Sequence, residues 1–447
     1  MRYAPKYLLA ALLAAAVGAA ASAQTPTLSV SLEQCREMAL QHDEDLRKAN
    51  ISVERAALDK EIAFSNYLPT IDGSLTGVVM KDLDGGLMTI IMKGTYMAGI
   101  NLTQPIFAGT KIINANRLAK VGQKVAEEQL RMQKQQLIAD VDKSYYALMS
   151  VRAKVNMLKA IQAQLDTLLG QVNTSVSVQL ATEADALRVK TKQSEILYNL
   201  QKAQTGDALC EMALCSTIGV ELGTHLVLPQ SPEGGASPVL TNDISKRPEL
   251  AMLNSAVDAK QLQVNMAKAD YMPTIGLGVS LNYFGNVKMQ TMTQLPDGSY
   301  MPYQMKLGQF LPAAMLSVQI PIFHWGTYRK VKQAKLDVEA AQLDLQKKER
   351  LMTIEAAQAI RNVQDARQMV ATADLAQQQA DENLRIMRLR YDAKMATLTD
   401  LLDAQSQWQQ AHANLIEAQT QVQISNTEYL RVTGQLADQY AAPAPAK

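Results

Sequence analysis

A five-residue motif occurs twice in the chain, as Tyr67-Leu68-Pro69-Thr70-Ile71 and again 204 residues later as Tyr271-Met272-Pro273-Thr274-Ile275. Each copy opens a segment of period two, Ile71 to Val79 and Ile275 to Tyr283, in which apolar residues alternate with small or polar ones. That alternation is the pattern of a strand with two unlike faces. A second alternating run returns in each half, Ala98 to Thr103 and Ala314 to Ile320. Both returns lead into Pro-Ile-Phe, at Pro105-Ile106-Phe107 and Pro321-Ile322-Phe323. Each half therefore reads as a β-hairpin (70–105 and 274–321) set between helices, and the fold must accommodate two copies of that unit.

The spacing of the copies shows where length matters. Asp45-Leu46 and Glu249-Leu250 keep the 204-residue offset, whereas Pro105 and Pro321 are 216 apart, which puts about twelve extra residues in the second hairpin, in a polar loop expected from Gly285 to Gln309. Beyond the hairpins the offset settles at 215: Leu180 to Leu187 aligns with Met395 to Leu402, and Ile218-Gly219 with Thr433-Gly434. Two long arms thus keep their length, as a continuous packed seam requires and a surface loop does not.

The arms carry heptads. Ala356, Val363, Val370, Gln377, Leu384 and Tyr391 recur every seven residues, with Ala359, Ala366, Ala373, Ala380 and Met387 three places on. Leu401, Trp408, Leu415, Val422 and Tyr429 continue the pattern beyond the tip, and Val151, Leu158, Leu165 and Val172 are the first-half counterpart. Small residues in the seams let helices approach closely. A helix from about Lys111 to Val176 rises roughly 100 Å at 1.5 Å per residue and must pack along neighbours. The return helix, Thr182 to Cys215, covers half that length, so an N-terminal helix capped by Ser31 and running to Phe64 is expected to fill the rest of the layer, with Ile244 to Asp270 as its second-half counterpart.

The strands constrain the assembly. Their length of about nine to eleven residues suits an outer-membrane barrel, but barrels close with about eight strands or more. Four strands per chain must then be completed by other copies. The outward face is expected to carry Ile71, Leu75, Val79, Ile275, Leu277, Val279 and Leu281, with Asp72, Ser74, Thr76, Ser280 and Asn282 turned to a wet lumen.

The N-terminus is a targeting segment: Arg2 and Lys6 precede an apolar run from Leu8 to Val17, and Ala21-Ser22-Ala23 predicts cleavage before Gln24. No later stretch has the roughly 18 consecutive apolar residues of a spanning helix. The division expected is a signal peptide 1–23, a first repeat 24–219, a linker 220–243, a second repeat 244–434 and a C-terminal tail 435–447. A net charge of +1 and the lack of any recognition motif give no basis for nucleic-acid binding. Cys35, Cys210 and Cys215 leave two readings, a bridge from Cys35 to Cys210 or Cys215, or buried free thiols. His42, His225, His324 and His412 are scattered, and with no nucleophile and base pair, metal cluster or phosphate loop, neither an enzyme nor a cofactor is expected. Of 22 methionines, Met80, Met88, Met92 and Met97 surround one hairpin and Met289, Met292, Met301 and Met305 the other, which admits soft cations such as Cu(I) among possible cargoes.

The order helix, Tyr-x-Pro-Thr-Ile, strand, loop, strand, Pro-Ile-Phe with a following Gly (Gly109, Gly326), long helix, tip and return helix, repeated after a signal peptide, resembles the TolC-type outer-membrane efflux protein family. So does Arg390-Tyr391-Asp392-Ala393-Lys394 ahead of Asp400-Leu401-Leu402-Asp403-Ala404-Gln405. The resemblance covers essentially the whole mature chain. It implies a mainly α chain with a membrane β-barrel: a homotrimer whose twelve-stranded barrel sits in outer-membrane lipid, continuous with a helical tunnel through the periplasm of a Gram-negative bacterium. It further implies a passive exit duct for drugs, other small molecules or secreted proteins, served by an inner-membrane pump and a periplasmic adaptor protein. The other reading is a soluble periplasmic coiled-coil scaffold or adaptor. The resemblance places Asp185, Tyr391, Asp400 and Asp403 in the periplasmic gate or pore-lining region. Two departures stand beside it: Lys394 occupies a position usually held by Gly, and Ala396 lies where some members carry an arginine of the tip lock. No cysteine follows the signal sequence closely, so no lipid anchor is expected.

Overall fold

The computed structural model describes residues 27–79, 83–84, 88–91, 94–229, 238–286, 288–306 and 309–436. The predicted signal peptide, Met80, Met92 and most of the predicted tail lie outside them. Backbone contacts divide the chain into two compact units. One is made of Lys48–Leu130 and Pro248–Leu351; the other takes the described residues up to Arg47, Arg131–Arg247 and those from Met352 onward.

The first unit holds the duplicated hairpins. Strands β2 (Thr70–Val78), β5 (Thr95–Ala108), β7 (Thr274–Gly285) and β10 (Gln309–Gln319) form one antiparallel sheet in the order β10-β7-β5-β2. The register aligns the alternation across all four strands. Ile71, Leu102, Val279 and Ala314 form one row, and Asp72, Asn101, Ser280 and Ala313 the next, which by strand geometry points to the opposite face. β5 runs through Pro105 and Phe107 with an irregularity between them, where proline has no N–H to give the ladder, whereas β10 stops before Pro321.

The stretch 285–309, expected as a loop, is largely strand. β3 (Leu83–Asp84), β4 (Met88–Ile91), β8 (Lys288–Gln294) and β9 (Tyr300–Lys306) make a second sheet in the order β3-β4-β8-β9. β8 mixes methionine with polar residues on both faces, so no period of two marks it. β9 alternates Met301, Tyr303 and Met305 with Pro302, Gln304 and Lys306, but an internal proline argues against a strand. The Asp297-Gly298 turn between them is closed by Leu295 and Ser299.

The expected single N-terminal helix is two, α1 (Leu32–His42) and α2 (Glu44–Ser65). Ser31 caps α1 with a reciprocal box, its hydroxyl accepting from Gln34 N while its own N–H reaches Gln34 Oε1 at 2.9 Å. Asp43 then breaks the run: it adopts extended ψ, and its carboxylate accepts the Leu46 N–H at 2.6 Å, competing for a backbone donor as short acidic side chains do. The long helix α3 (Lys111–Ser177) and its return α4 (Glu183–Ile218) match expectation, as do α6 (Trp325–Asp392) and α7 (Leu398–Val432). At the start of the second repeat, α5 (Pro248–Lys268) begins four residues after Ile244, at a proline suited to a first helical turn.

In the helical unit the predicted seam positions are buried or half-buried. Leu158, Ile161, Leu165, Leu168 and Val172 of α3 pack with Val189, Ile196 and Leu200 of α4 and Leu398 and Leu401 of α7. Ala356, Ala359 and Val363 of α6 pack on Tyr429 and Val432 of α7. A pair absent from the sequence reading, β1 (Thr27–Ser29) with β6 (His225–Val227), runs parallel across the predicted linker; three residues per strand are too few to show a pattern. The repeat survives in the helix ends: Gly219 and Gly434, 215 apart, both take positive φ, 72° and 76°. Any side chain at Gly219 would come within 2.6 Å of the His42 side chain, and at Gly434 would strike the Lys246 carbonyl, so glycine is required twice over.

Candidate functional site

Two features bear on function, the faces of the four-stranded sheet and the tips joining α3 to α4 and α6 to α7. On the sheet, Ile71 and Leu75 are 69% and 78% exposed, and Ile100, Val279, Leu281, Leu316 and Val318 are exposed as well. An apolar face of this extent is tolerated where lipid covers it.

The tips are built alike. Gln179 and Lys394, 215 apart, both sit in the left-handed region, with φ of 62° and 60°. The following N–H groups close the turns, Leu180 to Ser175 O at 2.8 Å and Met395 to Arg390 O at 2.7 Å. The return helices then open with matching capping boxes. Thr182 pairs with Asp185 and Thr397 with Asp400; each threonine hydroxyl donates to its aspartate Oδ2 at 2.7 Å while accepting the aspartate N–H. These hydrogen bonds, from the threonine side chain first and its backbone second, hold both carboxyls below the usual 3.8. Helix N-termini favour such anions further.

The four residues singled out in the sequence are brought together unequally. Asp185 and Tyr391 come within electrostatic reach: burial first, then the charges of Asp185 and Asp392, push the Tyr391 phenol above its usual 10.0. Tyr391 leans on the cluster around Leu398 and Leu401, and Lys394 places its ammonium 5.7 Å from the ring centroid, a cation–π distance. Asp400 is committed to its own cap, and Asp403 is exposed one turn further on.

Sequence reading gave no sign of Arg188, which ties the tips together: its Nη1 donates to Thr399 Oγ1 at 2.9 Å and lies 3.8 Å from Asp185. Its place three residues after Asp185, on the same helical face, is the only local signal. Nor did it assign Asp381, which accepts from the Trp408 indole and from Gln377, while Trp408 stacks on His412 with centroids 5.2 Å apart. The cysteines are free thiols, Cys35 and Cys215 buried, so of the two readings no bridge is formed; burial pushes the Cys35 thiol up to about 12.

This arrangement has relatives. The profile of the family described as Outer membrane efflux protein matches residues 35–211 and 240–435, one stretch in each repeat. The Toxin and drug export protein A of Aggregatibacter actinomycetemcomitans is 24% identical over 420 residues, covering 90% of this chain and 86% of its own. Among solved structures, the outer membrane protein VceC from Vibrio cholerae superposes with a TM-score of 0.75 at 17% identity, covering 90% of this chain and 96% of that one. The Campylobacter jejuni CmeC outer membrane channel does so at 0.73 and 19%, covering 90% and 85%. With both repeats matched in sequence and the whole arrangement matched in fold, the chain belongs to the outer membrane efflux protein family.

Proposed function

We propose that the protein is an outer-membrane exit duct, passively conducting drugs or other small molecules, or secreted proteins, from an inner-membrane pump and periplasmic adaptor to the cell exterior. The observation that carries this reading is the open sheet β10-β7-β5-β2, with its apolar row, polar row and two edge strands, β2 and β10, that no strand of the same chain covers among the described residues. Backbone polar groups at a sheet edge cannot face hydrocarbon, so the barrel must close. Three copies joined β2 to β10 give twelve strands, with Asp72, Asn101 and Ser280 lining water. A soluble periplasmic scaffold would leave the Ile71 and Leu75 face uncovered.

At the tips, the three copies bring Asp400 and Asp403 around one axis as acidic rings, with Tyr391 and Asp185 among the contacts that hold them. The protein purified in detergent from outer-membrane fractions is expected to run as a heat-modifiable trimer and to give discrete conductance steps in planar bilayers. Recovery as a soluble periplasmic monomer overturns the reading.

A further inference from the structure

We propose that the groove between α2 and α3, just below the barrel strands, holds an anionic phospholipid, the apolar part of the lipid lying along the groove and its phosphate meeting the exposed basic side chains at the rim. The groove has a volume of 410 Å³ and is lined by Lys60, Glu61, Phe64, Asn116, Arg117 and Lys120. Its two walls are pinned together by Asn116, whose Nδ2 donates to Ala63 O at 2.8 Å across the helix pair and to Ile112 O at 2.9 Å. Three cations against one acid suit a single negative charge. Lys60, Arg117 and Lys120 are all exposed.

Placement argues for lipid as the source of that charge. Phe64 is 56% exposed and its ring lies 5.7 Å from that of Tyr67, three residues before β2 begins at Thr70. An exposed aromatic pair at the end of a barrel strand is where a membrane interface belongs. α3 starts at Lys111, three residues after β5 ends, so Arg117 and Lys120 stand roughly 9 and 14 Å below the helix start at 1.5 Å per residue. Long basic side chains at that depth reach up to headgroups. Ile113, Arg117 and Lys120 share one face of α3 at spacings of four and seven. Trp325, 85% exposed, Arg329 and Lys332 repeat that spacing on α6, so an apolar residue above two cations occurs below both hairpins.

The proposal rests on reading the sheet as a membrane barrel, and the experiment separates the two. The full mature protein, delipidated in detergent, is titrated with phosphatidylglycerol or phosphatidylcholine and its lipid adducts are counted by native mass spectrometry. The wild type is expected to retain phosphatidylglycerol over phosphatidylcholine. Each cation at a lipid surface contributes a factor of about five, so Lys60→Gln with Arg117→Gln and Lys120→Gln lowers phosphatidylglycerol affinity about tenfold or more at unchanged oligomer mass. Arg329→Gln with Lys332→Gln removes charge at a similar height without touching the groove and is expected to cost clearly less. Equal retention of both lipids, an unchanged triple variant, or equal losses in the two variants overturns the proposal. Displacement by millimolar inorganic phosphate reassigns the groove to a free anion, and a change of oligomer mass in the triple variant reassigns it to a neighbouring copy. Failure to insert into liposomes of any composition counts against the barrel itself, whereas insertion without lipid preference counts against the groove alone.

Discussion

Arg36 and Asp142, 106 positions apart, meet as a doubly hydrogen-bonded ion pair, Nε to Oδ1 and Nη2 to Oδ2, each at 2.6 Å. Asp142 is fully buried and also accepts the Thr427 hydroxyl at 2.6 Å, so one carboxylate joins α1, α3 and α7. Such a pair gains strength from its two parallel bonds but offsets it against desolvation of both charges.

Asp142→Ala removes the carboxylate facing a buried guanidinium and is expected to destabilise the protein by about 3–5 kcal/mol. Arg36→Met with Asp142→Leu, which removes both charges and keeps volume, is expected to cost less than the single change. The midpoint of thermal unfolding in detergent, followed by circular dichroism, checks both; a double variant less stable than the single one contradicts the desolvation account.

Acid weakens the tips. Asp185 and Asp400 have folded-state pKa values lowered below 3.8 by the Thr182 and Thr397 hydrogen bonds. The stabilisation from each box is therefore complete above that value and is lost as pH falls through the lower folded-state values. Amide exchange at 182–186 and 397–401, normalised for intrinsic rates, is expected to accelerate below about pH 4. At neutral pH Thr397→Ala raises it about fivefold locally. A tip equally protected at pH 3 and pH 6 contradicts this.

In the proposed trimer, Asp400→Asn with Asp403→Asn reduces cation preference and block by multivalent cations in planar-bilayer recordings while leaving assembly intact, because acidic rings attract cations. Tyr391→Phe raises basal conductance, since the half-buried phenol loses its hydroxyl within reach of Asp185. Unchanged ion selectivity in an intact double variant shows that the two acids do not line the pore.

What could be read from the chain alone was whatever repeats at short range. Alternation placed β2, β5, β7 and β10, and helical patterns placed α3, α4 and α7 to within three residues at their ends, whereas the heptads of α6 marked its C-terminal end and only the part from Ala356 onward. The break at Asp43 escaped because an acid in a helical pattern looks the same whether it faces solvent or captures the Leu46 N–H. β8 escaped because a strand with methionine and polar residues on both faces carries no periodicity, and β9 because Pro302 interrupts its short alternation. The tips were legible as positions but not as contacts. Arg188 to Thr399 spans 211 residues and Arg36 to Asp142 spans 106, and partners so distant leave no local trace.

In the proposed trimeric barrel, the edges of β2 and β10, which no strand among this chain's described residues covers, also bear on biogenesis. Inside hydrocarbon every unsatisfied backbone group costs several kcal/mol, so a lone copy has no stable resting place in the bilayer core. Entry into the membrane and recruitment of further copies then form one kinetic event. The rate of insertion rises with chain concentration as a reaction of higher than first order, and an excess of copies defective only at the β2 or β10 edge poisons the insertion of normal ones.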